Sequence, residues 1–418
     1  MPSSTNTNLD SIRDLLNNPP SDVVYFNNAG KVPIPPSVQQ AGQNAVHEES
    51  NPWVQQHKSN SKVTSETREL FAQLIGANSL DIAITPSTGF SMTMVAHNLR
   101  TTGVLEGQSQ ILILQDEMSS EIYCWQEICK RNDTECKLLI IPHPSNEIDT
   151  WTQLILDHLQ NDKNQRIKVV CVPQVHWSDG SYIDLKRIGE ECQKRNIIFV
   201  VDGTQSVGIF PLDVKAIQCH VLAASVHKWL LGPHGQSLVY IHSKFHSCWQ
   251  PLDQHERSRR VFQDEVYDAT EDNITSKGYP EEFISGAARL DSGGKKNPVL
   301  LPMVCEGLRI VNQINKSQAQ KYLNTITDEI LDEARKIGFD VQPGPRAGHI
   351  IGLRPKSSDL RALLTPAKMV DVANNLKQKG IYLAVRCGAF RIAPYLNTTS
   401  DDVKKLIEGL KVECKKLC

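Results

Sequence analysis

The chain has 418 residues, 40% of them hydrophobic, and a formal net charge of −2. That length suits one large domain and a smaller one, and so little charge gives no reason to expect nucleic acid or an anionic membrane as partner. No apolar run reaches the roughly 20 residues that span a bilayer, and the polar start Met1-Pro2-Ser3-Ser4 carries no apolar signal core. Eleven cysteines without a CxxC pair indicate neither a metal site nor a disulfide framework. They read as free thiols of a reducing, cytoplasmic compartment.

Residues 1–22 read as a loose N-terminal arm with one short helix. The run Val23-Val24-Tyr25-Phe26 is a strand ending in Asn27-Asn28-Ala29-Gly30, where Asn28 either caps a turn or faces a ligand. Residues 64–75 form an amphipathic helix with Leu70, Phe71, Leu74 and Ile75 in one stripe. A short strand, Asp81-Ile82-Ala83-Ile84, leads through Thr85-Pro86-Ser87-Thr88-Gly89 into a helix from Phe90 to Leu99. Small hydroxyl and glycine residues at such a turn expose backbone N–H groups at the positive helix end, a phosphate site by geometry.

Further buried strands follow at Ile111–Leu114 and Lys137–Ile141, with a helix at 150–160. The run Lys168–Val172 leads into a loop that contains His176 and Trp177, and Asp184–Arg195 is the next helix. The β-branched run Ile197–Val201 ends in Asp202-Gly203-Thr204-Gln205, and Val221–Ala224 ends in Ser225-Val226-His227-Lys228-Trp229. An acid at the carboxyl end of a buried parallel strand sits where α/β sheets bind ligands. A lysine flanked by apolar residues is only partly hydrated, which favours the neutral amine that forms imines. The strand and helix patterns alternate from about 80 to 230, the rhythm of a parallel sheet. Residues 242–285 break it with charged residues, as a solvated loop or a cover over the site. A helix over 298–316 follows.

From Gln318 to Cys418 a smaller α+β domain is expected. It has a helix to Lys336, a strand near His349–Leu353, a helix from Pro366 to Lys379 and a strand at Ile381–Val385. A last helix is capped by Thr399 or Ser400. Between the last strand and that helix, Arg386 and Arg391 are candidates to bind a carboxylate bidentately.

Asp202 and Lys228 on successive strand ends resemble the class V aminotransferase family of fold type I pyridoxal-phosphate enzymes, over roughly residues 23 to 412. That family includes cysteine desulfurases, C–S lyases and isopenicillin N epimerases. The resemblance implies an α/β PLP-dependent transferase fold of type I. Its large domain, residues 23–317, would carry a mostly parallel seven-stranded sheet, and residues 318–418 the smaller domain. It implies pyridoxal 5'-phosphate as cofactor, an amino acid as substrate, no metal, and a homodimer with shared sites.

The family's roles fall on Lys228 as imine-forming base, Asp202 on the ring nitrogen, and Gln205 on the phenolic oxygen. Thr88, Gly89, Ser225 and His227 would hold the phosphate, with Ser292 or the Gly293–Gly294 backbone amides reaching the partner's. Arg391 and Arg386 would bind the substrate carboxylate, with Asn28 and Trp177 beside it. His176 is either a catalytic acid–base or a structural loop residue. Glu117-Met118-Ser119-Ser120-Glu121-Ile122-Tyr123-Cys124-Trp125 resembles the family's Glu-aromatic-x-x-Asn-x-x-Pro-Trp segment. Met118 stands where an aromatic residue stacks on the ring, and Tyr123 or Trp125 would replace it in another register. A C–S lyase or desulfurase-like reaction on a cysteine derivative is expected from Trp177 and the short Arg386–Arg391 connection. The alternatives are an epimerase, an aminotransferase or a non-catalytic scaffold. Cys387 reads as incidental.

Overall fold

The computed structural model describes residues 9–51, 53, 58–131, 135–145, 149–260, 279–294 and 296–416. Its helices in chain order are α1 (Leu9–Arg13), α2 (Pro36–Glu49), α3 (Lys58–Ile75), α4 (Thr88–Thr101), α5 (Ser119–Lys130), α6 (Trp151–Asn161) and α7 (Leu185–Lys194). They continue with α8 (Val214–Ile217), α9 (Leu300–Gln313), α10 (Lys316–Lys336), α11 (Ser358–Leu363), α12 (Pro366–Gln378) and α13 (Ser400–Lys415). The strands are β1 (Val24–Tyr25), β2 (Ile82–Thr85), β3 (Gln110–Leu114), β4 (Lys137–Ile141), β5 (Ile167–Pro173), β6 (Ile198–Asp202) and β7 (Val221–Ser225). Then come β8 (Ser237–Ile241), β9 (Phe339–Asp340), β10 (Ile351–Pro355), β11 (Ile381–Tyr382), β12 (Ala384–Arg386) and β13 (Ala389–Ile392).

Seven strands form one sheet in the order β2-β8-β7-β6-β5-β3-β4. All neighbours are parallel except β8, which runs antiparallel to β2 and β7. The sheet is covered on both faces, and the sequence shows why. Phe199 and Val201 of β6 enter one apolar cluster, while Ile198 and Val200 enter the other. Leu112 and Leu114 of β3 divide from Ile111 and Ile113 in the same way. The strand period of two therefore sends apolar side chains both ways, as a sheet flanked by helices requires. Each such side chain, fully buried, stabilises the fold by roughly 1.5–3 kcal/mol.

A second sheet, β12-β13-β10-β9, is antiparallel throughout. It packs with α10, α12 and α13 around a third cluster that holds Ile330, Phe390 and Leu406. The last helix starts with a capping box between Thr399 and Asp402. Two-residue β1 pairs in parallel with β11, so the chain's early strand lies against its late one.

Several sequence expectations need adjustment. The segment from Leu9 is not a loose arm: Ile12 and Leu16 are buried, and Arg13 Nε donates to the Leu396 carbonyl at 2.7 Å. Helix α3 starts six residues before the expected 64. The expected strand Ile381–Val385 is split into β11 and the start of β12. Of the segment 242–285 read as loop or cover, residues 261–278 lie outside the described residues. Its two flanks are tied to each other, with Arg260 N donating to Glu282 O at 2.7 Å and Ile284 N to Ser258 O at 2.9 Å.

Candidate active site

The carboxyl ends of β3, β5, β6 and β7 share one edge of the large sheet, because these strands are mutually parallel. Asp202 ends β6, opposite Ala223 of β7 and Pro173 of β5. Its Oδ1 accepts from Thr204 N at 2.8 Å. The intervening Gly203 is required by packing, since a Cβ there would lie 2.7 Å from Val207 Cγ2.

Lys228 follows the end of β7. No hydrogen bond or ion pair holds its amine among the described residues. Burial lowers its pKa to about 8; Asp202 opposes that and Arg391 adds to it. The adjoining Trp229 is fully buried. Its indole N–H donates to Gln205 Oε1 at 2.8 Å, and its ring meets His349 edge-on with centroids 4.8 Å apart. Gln205 Nε2 donates to the Ala29 carbonyl at 3.1 Å. Both ends of the Gln205 amide are thus fixed by protein, leaving one Nε2 hydrogen for a ligand.

At the neighbouring strand end, Ser87 caps the 14-residue α4 by accepting from Phe90 N at 3.1 Å. Thr88 Oγ1 lies 3.2 Å from Ser225 Oγ, so two hydroxyls meet at a positive helix end. A Cβ on Gly89 would find its nearest atom at 3.7 Å; the protein itself does not demand glycine there. His227 stacks on His234 with centroids 3.9 Å apart. Burial, followed by the charge of Lys228, pulls its pKa down to about 3, so the ring is neutral. Ser292 N donates to the Ile84 carbonyl of β2 at 3.2 Å, on the strand that leads to Thr88.

Arg391 lies on β13 between two small residues, Ala384 of β12 and Gly352 of β10. It is 2% exposed. Its Nη1 donates to the Trp177 carbonyl at 3.2 Å and its Nη2 to Asn27 Oδ1 at 3.2 Å, while Nε is buried without a partner. Burial and then Arg386 pull its pKa to about 10, which leaves it cationic at neutral pH. The Trp177 ring lies 5.7 Å from the Arg391 guanidinium and 6.0 Å from that of Arg386. Its indole N–H reaches the Asp116 carbonyl at 2.7 Å. The carboxamide facing Arg391 is therefore Asn27. That of Asn28 donates to the Ala393 carbonyl at 2.8 Å, one residue of register away from the expected role.

His176 is wholly buried. Its Nδ1 lies 2.9 Å from Ser178 Oγ and 3.6 Å from Asp179 Oδ1, and its Nε2 3.3 Å from the Gln115 carbonyl. The ring stacks on Trp151. Burial opposes its charge, but Asp179 and then Glu117 raise its pKa to about 9. The same pairing, against burial, holds Asp179 well below the usual carboxylate range. His176 is thus half of an internal ion pair, with both ring nitrogens committed. Met118 caps α5 at the carboxyl end of β3, half-buried. Trp125 is fully buried in the helix-side cluster and Tyr123 is 64% exposed, so neither takes the place of Met118. Cys387 is half-buried at φ +46° in the β12–β13 turn, and burial pushes its thiol pKa up.

Sequence reasoning passed over three groups at this edge: Asn27, Glu117 and Glu121. Both glutamates are buried. In sequence they look like acids at an exposed helix start, and only their place between β3 and β6 distinguishes them.

This architecture is shared with solved fold type I pyridoxal-phosphate enzymes. The chain resembles the cysteine desulfurase CsdA of Escherichia coli with a TM-score of 0.81 at 19% identity, over 99% of this chain and 100% of that one. It resembles the cystine C–S lyase C-DES with a TM-score of 0.78 at 17% identity, over 93% and 97%. In sequence it is similar to the uncharacterized aminotransferase YcbU of Bacillus subtilis (strain 168), 24% identical over 349 residues and 83% of each chain. It is also similar to the isopenicillin N epimerase of Streptomyces clavuligerus, 28% identical over 177 residues and 42% of each chain. The family model for Aminotransferase class-V matches residues 24–405. The chain therefore belongs to the class-V aminotransferase family, and its cofactor is pyridoxal 5'-phosphate. The residues fit that group. The site holds an amine without a partner, an acid at the end of the strand beside it, and paired hydroxyls at a helix start. No helix of the described residues is long and apolar enough to cross a membrane.

Proposed function

We propose that the protein is a C–S lyase, or desulfurase-like enzyme, that cleaves a cysteine derivative at its β-carbon. One observation carries this reading. Of the two amines at the site, Lys31 donates to the Gly232 carbonyl at 3.3 Å, and Lys228 alone is uncommitted. A site with one free base takes the α-proton from one face. Sulfur then departs as a thiolate or persulfide, a weakly basic leaving group that needs no acid to help it go. Epimerisation calls for a proton donor on the opposite face, and the nitrogens of His176 are both engaged.

Each residue then has a task. Lys228 anchors the cofactor covalently, and its freed amine takes the proton from the α-carbon. Asp202 keeps the ring nitrogen protonated. The remaining Nε2 hydrogen of Gln205 serves the phenolic oxygen. Thr88, Ser225, the Gly89 backbone and neutral His227 hold the phosphate, and Met118 packs on the ring. Arg391 binds the substrate carboxylate, oriented by Asn27, with Arg386 as second cation and Trp177 as wall. Pyridoxal phosphate, when bound, withdraws electrons from the α-carbon so that its proton can leave. The C–S pair stays on sulfur, and water completes the products: a thiol or persulfide, pyruvate and ammonium. Ser292 is assigned to the phosphate site of a second copy, in a homodimer of the cytoplasm.

Cys387 is a poor sulfur carrier, since the tight β12–β13 turn gives it no reach. This favours release of sulfur as product over transfer to a protein. The test is incubation of the purified protein with cysteine, cystine and S-alkyl cysteines. Pyruvate with sulfide or persulfide is expected. Absence of both, with solvent exchange of the α-proton, would make it an epimerase; turnover only with an added keto acid would make it an aminotransferase.

A further inference from the structure

Three carboxyl groups converge behind the site: Asp202 at the end of β6, Glu117 before α5, and Glu121 in its first turn. Glu121 is 1% exposed. Its Oε1 accepts from the Cys171 thiol of β5 at 3.1 Å, and its Oε2 has no donor. Cys171 is registered with Val200, two residues before Asp202 and on the same face of β6, so the Glu121 carboxyl that Cys171 holds lies on the Asp202 side of the sheet, and Asp202 is among the groups that raise its pKa. The groups that act on it most strongly are Glu117, Asp202 and Cys171, and Cys124 sits beside it on the same helix. None of these is a cation. Two ionised carboxylates side by side have no proton between them and repel. With one proton on Glu121, the pair can hydrogen-bond and the stranded oxygen is explained.

We infer that Glu121 is a positioning residue for Asp202: it stays un-ionised and donates its carboxylic proton to the Asp202 carboxylate, which sets how firmly that acid holds the cofactor's ring nitrogen. The inference rests on Asp202 being the ring's partner. Burial, then the charges of Glu117 and Asp202, raise the pKa of Glu121 well above its ordinary value, in keeping with the geometry. In the segment that this stretch resembles, an asparagine stands at the place of Glu121. An amide donates at any pH, whereas a carboxyl donates only while it keeps its proton. Asp202 needs the donor because its other bond, from Thr204 N, serves Oδ1 alone.

The test is infrared spectroscopy of the full-length holoenzyme at a pH high enough to ionise both the exposed carboxylates and Glu117, whose pKa burial raises to about 7. The wild type should show the carbonyl stretch of a buried carboxylic acid. Glu121→Gln should remove it, and Asp202→Asn should move it by changing its acceptor. A second reading is nitrogen NMR of ring-labelled cofactor. Glu121→Leu, which removes the donor, should raise the titration of the ring nitrogen about tenfold in proton affinity, while Glu121→Gln keeps a donor and should restore the wild-type value. A wild-type spectrum without the acid band overturns the inference whether or not the variants fold. So does a band that Asp202→Asn leaves in place. A colourless protein that retains the band and its response to Asp202→Asn would instead sink the cofactor role of Asp202 and leave the carboxyl pair standing.

Discussion

Replacing Asp179 with Asn removes the counter-charge of His176 and a longer ion pair, 3.8 Å, with the partly exposed Arg354. The Asn keeps an oxygen for the Ser181 N–H, which Asp179 Oδ1 now accepts at 3.0 Å. In the folded protein His176 titrates at about 9, against 6.5 ordinarily. A folded value above the unfolded one means stabilisation that is full below pH 6.5 and is lost as pH rises through 9. The difference corresponds to about 3 kcal/mol. Without Asp179, burial governs the ring; His176 should become neutral, with its pKa below 6.5. Urea unfolding at a series of pH values is the assay, with histidine NMR to follow the ring. Wild-type stability should fall with pH between 6.5 and 9. Asp179→Asn should be about 3 kcal/mol less stable at the low end of that window and flat across it. Parallel curves for the two proteins would refute the ion pair as the source of the shift.

Arg391→Lys should raise KM at least tenfold with a smaller change in kcat, because an ammonium cannot bind a carboxylate bidentately while also serving Asn27 and Trp177; equal kinetics would remove Arg391 from the substrate. Gly180→Ala should cost about 3 kcal/mol or prevent folding, since the residue has φ +79° and its Cβ would lie 1.9 Å from the Ile350 carbonyl oxygen; thermal denaturation reads it. Trp229→Phe should cost about 1–3 kcal/mol by stranding Gln205 Oε1, and an unchanged melting temperature would show that the bond contributes nothing.

The large sheet was legible because its strands are apolar runs with β-branched residues that stop at polar residues. Asp202 and Lys228 could be found for that reason: each is the first charge after such a run. Arg391 was legible from its place on a late strand. What the sequence hid was side-chain direction in the loops. Asn27 and Asn28 differ by one residue, and the parallel bridge between Asn27 and Ala393 decides which carboxamide faces Arg391. His176 reads equally well as a catalytic base or a buried ion, and only its contact with Asp179 and Trp151 separates these. Glu121 has no marker in the sequence, because its environment is built by Cys171 and Asp202, 50 and 81 positions further on.

The pairing of β1 with β11 also bears on how the protein is made. The strand that leads to Asn27 leaves the ribosome early, yet its partner is encoded some 350 residues later. At cellular elongation rates that is a wait of about 20 to 70 seconds. Through that interval the nascent chain exposes Val24 and Phe26, which are buried in the finished protein, and Arg391, the proposed carboxylate ligand, does not yet exist. A nascent-chain arrest anywhere before Ile381 should therefore yield a polypeptide that chaperones retain.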